Sequence, residues 1–333
     1  MNAARSNDPP RSVSDPGLFR MAHDCFESLW GAAAELNCEK LSIAGARVLD
    51  AGIHCRGSLA AGLGLARLCL GDLATVSYSP TSLQAPTGLA VSIQTDHPVR
   101  ACLGGQYAGW PVSVGDYFAM ASGPMRSLRG KEAMLDQLQL SRPATKDDFA
   151  VGVLESATLP GTEVIHAMTE ECGVDASRMC LAIAPSFSIA GCAQVVSRSV
   201  ETALHKLHAL EFDMTRVVSA HGDAPLPPPA KVGDTVNGIG RTNDAMLYGA
   251  RVTLWMDAED DLIESVAAQV PSESSKDHGQ PFAKIFKQYD YDFYRVDPML
   301  FSPAQVTIHS LQTGRSWRHG QLNHDVLRES FGL

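Results

Sequence analysis

The sequence predicts an α/β fold organised as two α/β domains. Three observations support this. A chain of 333 residues suggests two domains or one large one and is ample to bury a core. Short apolar runs alternate along it with stretches whose apolar residues recur at helical spacing. Residues 147–220 read strand, helix, strand, helix, a βαβα unit that implies parallel pairing and a right-handed crossover.

Taken in order, residues 1–16 are polar and proline-rich without an apolar centre, which predicts a disordered tail and not a signal peptide. The first domain is expected over 17–146. A helix starts after Asp15-Pro16, with Leu18, Met21, Ala22, Phe26, Leu29 and Ala33 as its buried stripe. Lys40 to Asp50 alternates like a strand, and Gly52 to Arg56 is a turn. Leu59 to Cys69 reads as a helix closed by Gly71, with a strand at Ala74 to Tyr78. Leu89 to Thr95 is a strand and Ala101 to Gly109 a helix. Val112 to Met120 returns as strand and runs into the turn Ala121-Ser122-Gly123-Pro124.

A more charged stretch, Met125 to Asp148, places a boundary near Lys146. The second region, 147–333, opens with the βαβα unit (147–220): a strand at Ala150 to Leu154, a helix from Gly161 to Cys172 closed by Gly173, a strand at Met179 to Ala184, and a helix. Asp213 to Ala220 is a further strand. A Pro-rich hinge (221–240) follows, then a C-terminal part (241–333) able to pack back on the first domain. That part is expected to hold a strand pair (Ala245 to Tyr248, Arg251 to Met256) and a helical stripe of Phe282, Ile285, Phe286 and Tyr289. Phe293 to Val296 is extended, Gln305 to His309 is a strand before a Thr313-Gly314 turn, and a short helix surrounds Val326.

The chain is organised around Ala184 to Leu210. Pro185, Ser186 and Ser188 break the preceding strand and offer side-chain oxygens to cap a helix. Ile189, Ala193, Val196, Val200, Leu204 and Leu207 then fall on one side of that helix, and Gln194, Arg198, Glu201 and His205 on the other. An arginine and a glutamate three apart on one helical face can touch. Such a polar side is either a solvated face or the wall of a cleft at the C-terminal end of a strand, where α/β sheets hold ligands. Periodicity does not choose between the two.

Several function classes are disfavoured. The formal net charge is −10 and no run of Lys or Arg exists, which argues against nucleic acid and an anionic membrane as partners. No apolar stretch is long enough to span a membrane. The eight cysteines form no C-x-x-C pair and lie mostly in apolar stretches, so they read as reduced thiols of a cytoplasmic protein. His205 and His208 lie three apart with no third ligand near, which disfavours a metal. Gly62-Leu-Gly64 and Gly238-Ile-Gly240 lack the context of a nucleotide fingerprint, and there is no G-x-S-x-G elbow. What remains are polar segments assigned to loops after strands, at Thr95 to Pro98, Gly115 to Phe118, Ser122 to Pro124, Ser186 with Ser188, and Gly240 to Asp244. Singly each reads as a turn or cap; together they resemble a polar lining for a flat, hydrogen-bonding ligand.

The strings LGDLATV, QTDHPV, GWPVSVGDYFAMASGPMR, ECGVD, APSFSIAG, GRTNDAMLYG, SESSKDHGQPF, IFKQYDYDFYRVDP and DVLRESFGL occur in this order between Leu70 and Leu333. They make the chain, from about Leu18 to Leu333, resemble the methenyltetrahydromethanopterin cyclohydrolase family. The resemblance implies an enzyme of one-carbon metabolism that hydrolyses the N5,N10-methenyl group of a tetrahydromethanopterin to the N5-formyl form. It also implies a homotrimer of two-domain subunits, the pterin in the cleft between domains, and no metal, nucleotide or other cofactor. The family's arginine–glutamate pair falls on Arg198 and Glu201, within Ser197-Arg-Ser-Val-Glu201; Ser199 departs from the β-branched residue of archaeal members but keeps the spacing.

The implied substrate is an amidinium-like cation whose bridging carbon is already electrophilic. Attacking water must lose a proton and the released N10 must gain one, and one carboxylate can serve as base and then acid. Glu201 is expected in that role, with Arg198 holding it and lowering its pKa. Asp96, Tyr117, Ser122, Ser186, Asn243 and Asp244 are expected to orient the pterin. Arg126, Arg129 and Lys131 read either as contacts to an acidic substrate tail or as a solvated basic loop. Two alternatives stand beside this reading: a non-catalytic pterin-binding subunit, against which the Arg198/Glu201 pair argues, and a cyclohydrolase preferring tetrahydrofolate.

Overall fold

The computed structural model describes residues 17–82, 84–292 and 295–333. The expected N-terminal tail and the start of the extended stretch at Phe293 lie outside these residues. The described chain forms two six-stranded mixed sheets with helices packed around them.

Helix α1 (Gly17–Gly31) is followed by strands β1 (Glu39–Ile43) and β2 (Ala46–Asp50), helix α2 (Leu59–Cys69), and strands β3 (Thr75–Pro80) and β4 (Leu89–Thr95). Lys40 to Asp50 is therefore a hairpin and not one strand. Gly45 turns it with φ +89°, a backbone that L side chains rarely adopt. The next helical segment, Val99–Gln106, is a π-helix. Strands β5 (Trp110–Val114) and β6 (Tyr117–Ser122) form a second hairpin where one strand was expected. Short helices α3 (Met125–Arg129) and α4 (Ala133–Gln137) lead to β7 (Ala150–Glu155), α5 (Thr162–Cys172) and β8 (Met179–Ala184). Gly173 closes α5 in the left-handed conformation, as the sequence predicts.

Helices α6 (Ile189–Val196) and α7 (Ser199–Ala209) then precede β9 (Val217–Pro225), α8 (Thr235–Gly249), β10 (Arg251–Met256), α9 (Asp260–Ala267), α10 (Phe282–Gln288), β11 (Gln305–Ser310), β12 (Ser316–Gly320) and α11 (His324–Phe331). Regular elements reach into the 221–240 stretch from both ends, since β9 runs on to Pro225 and α8 begins at Thr235. One expectation is corrected here. Gly240 to Asp244 and Ala245 to Tyr248 are neither loop nor strand but the body of α8. Asp234 caps this helix by accepting the Asn237 N–H, and a glycine at 238 lets it press against the Ser186–Phe187 backbone.

One sheet has the order β1-β2-β8-β7-β6-β5 and the other β12-β11-β10-β9-β4-β3. Each draws strands from both sides of Lys146. In the first sheet β7 and β8 pair in parallel, as the βαβα unit requires, and β2 pairs in parallel with β8. Both faces of that sheet are covered: Ala150 and Leu154 join one apolar cluster, Val151 and Val153 another. This is why β7 and β8 read as continuous apolar runs, whereas β11, buried on one face, alternates.

The organising stretch is not one helix. Ser197 ends α6, and Arg198 (φ −86°, ψ 10°) opens α7. The Ser197 hydroxyl donates to the Gln194 carbonyl at 2.7 Å, a local bond that competes with the helical ladder. Nor is the polar side a solvated face. Gln194, Arg198 and Glu201 are buried. Close backbone approach on two sides accounts for it. A Cβ at Gly62 of α2 would lie 2.5 Å from Ala193 Cβ, and one at Gly222 of β9 would lie 2.5 Å from Ser199 Oγ.

Candidate active site

The break between α6 and α7 sets Arg198 and Glu201 side by side in the interior, 6% and 5% exposed. The Arg198 Nη1 lies 4.0 Å from Glu201 Oε2, an ion pair without a hydrogen bond. The guanidinium is instead held by neutral acceptors. Nη2 donates to Ser122 Oγ at 3.0 Å and to Gln194 Oε1 at 3.2 Å, and Nη1 donates to the Gln106 carbonyl. Cys69 at the end of α2 backs these two side chains, its Sγ 3.2 Å from Ser122 Oγ and 3.6 Å from Gln194 Oε1. Four separate segments thus fix one cation beside one acid.

Burial dominates the chemistry of that acid. It pushes the Glu201 carboxyl up to about 7, against the opposing pull of Arg198 and, less strongly, of Arg126. Arg198 acts in the direction expected from the sequence, but the net shift is upward because desolvation outweighs it. Glu201 accepts no hydrogen bond from another side chain among the described residues, and Arg198 is its ion-pair partner at 4.0 Å. A second acid, the partly buried Glu155 at the end of β7, is likewise raised by desolvation and opposed by Arg198. Beyond Glu201 the wall is a stack: the Arg126 guanidinium lies 5.1 Å over the Tyr107 ring, and Tyr107 stacks on His205 at 4.8 Å. Burial pulls the His205 imidazole down to about 4, so this ring is neutral.

Of the expected pterin-orienting residues, Ser122 joins this group directly, through Arg198. Tyr117 lies at the start of β6, its hydroxyl buried near Ser156 and raised to about 12 by burial. Ser186 is buried in the turn before α6, packed against Gly238 of α8. Asn243 and Asp244 sit within α8. The Asn243 amide donates to the Ile239 carbonyl, and Asp244 accepts the Phe282 N–H at 2.8 Å, tying α8 to the start of α10. Asp96, at the end of β4, accepts the Ser219 hydroxyl at 2.7 Å and lines an open cleft with Arg67, Asp72 and His97. That cleft contains neither Arg198 nor Glu201.

Of the three cations of the basic segment 126–131, only Lys131 is exposed. Arg126 is fully buried in an ion pair with Glu132, while Arg129 and Lys131 both reach Glu171, at 2.5 and 3.2 Å. Sequence reasoning missed Gln106, Cys69 and Glu155 as neighbours of the pair. Their signal was weak, since each sits at the end of an element that comes together with α7 only in three dimensions. One group among the described residues has metal-ligand spacing, with donor atoms of Glu39, Asp50 and His54 within 4.8 Å of one another. The Asp50 oxygens there accept the backbone N–H groups of Gly52, Ile53 and His54.

The family model described as Cyclohydrolase (MCH) matches residues 18–331. A methenyltetrahydromethanopterin cyclohydrolase from Rhodopirellula baltica is 75% identical over the whole of both chains. One from Methylobacillus flagellatus is 41% identical over 90% of each chain, and one from Methanoregula boonei is 41% identical over 94% of this chain and 98% of its own. A match that spans nearly every described element, with relatives of this identity covered almost end to end, rests on far more than the site alone: the chain belongs to the cyclohydrolase (MCH) family.

Proposed function

We propose that the protein hydrolyses N5,N10-methenyl-tetrahydromethanopterin to N5-formyl-tetrahydromethanopterin in one-carbon metabolism of the formaldehyde-oxidising or methanogenic type, with Glu201 as base and acid and Arg198 steering it. The observation that carries this reading is a buried carboxyl near neutrality, 4.0 Å from a guanidinium that hydrogen-bonds elsewhere. A general base and acid works best when its pKa is close to the working pH. The relatives' names support the reaction and the substrate.

In the proposed reaction, water attacks the bridging carbon of the cation while ionised Glu201 takes one of its protons. The C–N10 bond of the neutral hydroxyl adduct then breaks, N10 keeping the electron pair and taking the proton from Glu201. Loss of the remaining hydroxyl proton leaves the N5-formyl group, so one proton ends on N10 and one goes to solvent. The amidinium carbon supplies its own electrophilicity, and no step calls for a metal or cofactor. Proton transfer of this kind contributes about a hundredfold to ten-thousandfold, so orientation of the pterin must supply the rest. Ser122, Tyr117, Ser186, Asp96, Asn243 and Asp244 are the residues we propose for that orientation, Ser122 with direct support from its bond to Arg198. The resemblance in sequence supports a homotrimer with the pterin between two domains, and the unpaired cysteines support a cytoplasmic enzyme.

The test follows the absorbance of the methenyl cation. Purified protein is expected to remove it faster than the spontaneous rate, whereas a protein that only binds the pterin leaves it intact. Offering the methenyl forms of tetrahydromethanopterin and tetrahydrofolate side by side decides the preferred carrier. A Glu201→Gln variant that binds substrate yet turns over at the wild-type rate would reject the role given to Glu201.

A further inference from the structure

The C-terminal end of the π-helix, residues 103–106, meets both arginines that act on Glu201. Arg126 Nη1 donates to the Leu103 and Gly105 carbonyls at 3.3 and 3.1 Å, and Ser127 Oγ donates to the Gly104 carbonyl at 2.9 Å. The Gln106 carbonyl takes Arg198. The last carbonyls of a helix lack intrahelical partners and form its negative end, so cations are stabilised there. Gln106 then does something the other three residues do not. Its side-chain Nε2 donates across to the Ser197 carbonyl at 3.1 Å and to the Ser197 hydroxyl at 2.9 Å, at the break that places Arg198 and Glu201. The side chain is fully buried, its Oε1 has no partner among the described residues, and both hydrogen bonds of the amide go to Ser197.

We propose that Gln106 is a positioning residue for the reaction: by joining the π-helix terminus to the Ser197–Arg198 break, it fixes the separation between the Arg198 guanidinium and the Glu201 carboxyl. This rests on the assignment of Glu201 as the acid–base group. The charged and titratable groups that face Glu201 are few. Arg198 lies on its own segment, Arg126 on α3 is backed by Glu132, and Cys102 on the π-helix is a thiol held neutral by burial. Glu155 of β7 faces Arg198. Of these, only Arg198 is bound to the Gln106 carbonyl and adjoins the break that its side chain clamps. A retreat of Arg198 from 4.0 Å by about 2 Å, at an effective dielectric of about 20, moves the ionisation of Glu201 upward by about one pH unit.

The experiment records the pH profile of kcat/KM with methenyl-tetrahydromethanopterin for the wild type, Gln106→Met, Ser197→Ala and the double variant, each checked for folding by circular dichroism. The midpoint is expected to move toward alkaline pH by about one unit in Gln106→Met. A smaller move in the same direction is expected in Ser197→Ala, which loses one of the two acceptors. The double variant should move little further than Gln106→Met alone, as befits one coupled unit. Variants that melt earlier or turn over more slowly while keeping the wild-type midpoint would overturn the proposal, since a merely structural glutamine gives that result. Should Gln106→Met fail to fold, the midpoint of Ser197→Ala decides on its own. An inactive wild type would instead refute the proposed function, so the two failures are distinct.

Discussion

Replacing Glu201 by Gln should make the protein more stable above neutrality, and by an amount the structure fixes. Gln has the shape of the protonated acid and never ionises. In the folded protein the Glu201 carboxyl titrates at about 7, against 4.5 for the ordinary group. The folded state therefore binds the extra proton between these values, and stability falls as pH rises through that window. Below about 4.5 wild type and variant should be alike; above about 7 the wild type carries the full penalty of a buried carboxylate, at most ~3 kcal/mol. At 5% exposure solvent does little to screen this. For a chain of this size that corresponds to roughly 4 °C in Tm. Thermal melts of both proteins between pH 4.5 and 8.5 measure it directly. The gap should open with rising pH, with the Gln variant the higher. A variant less stable at every pH, or a gap that widens toward acid, would show that Arg198 stabilises the charge more than burial penalises it, and the reasoning would be wrong.

Other consequences follow from the same geometry. The rate of hydrolysis should rise with pH through a midpoint near 7 in kcat/KM, because in the proposed reaction the base form of Glu201 makes the first proton transfer. In kcat the midpoint should lie lower, since a bound cation favours the carboxylate; identical midpoints in the two profiles would place the cation away from Glu201. Arg198→Met should cut kcat/KM by about a hundredfold or more and shift the remaining activity to higher pH, whereas a wild-type pH profile would mean that Arg198 does not act on Glu201. Gly62→Ala should cost about 1–3 kcal/mol in urea unfolding, because its new methyl would press on Ala193 Cβ and push α2 from α6. A neutral result would mean the two helices are not locked together there.

Much of the fold was legible because local chemistry and final placement agree. Strands β4, β8 and β10 and helices α2 and α5 have their ends where Gly71, Gly173 and the apolar runs put them. The errors came where tertiary contact overrides local pattern. The segment Gly240 to Asp244 looks like a polar loop because glycine, asparagine and aspartate favour turns. It is helical because Asp234 caps it, and Asp244 is satisfied across space by the Phe282 N–H. The hairpins at 39–50 and 110–122 each read as one strand because their turns, Ala44-Gly45 and Gly115-Asp116, are only two residues long and carry no Asn-Gly or Asp-Gly pair.

The candidate site was half legible for a different reason. The spacing of Arg198 and Glu201 says that they can meet on one helix face, but not whether that face is wet. What removes it from water is close packing at positions far away in sequence, Gly62 against Ala193 and Gly222 against Ser199, together with the carbonyls of a π-helix nearly a hundred residues upstream. That difference alters the chemistry. On a solvated helix an arginine three residues from a glutamate would only lower an already acidic group and contribute little. In the interior, the same arginine moderates a carboxyl that burial has raised, leaving it near the pH at which a proton can both be taken from water and returned to nitrogen. The pair is thus a feature of sequence, whereas its fitness for the proposed acid and base role is a feature of the fold.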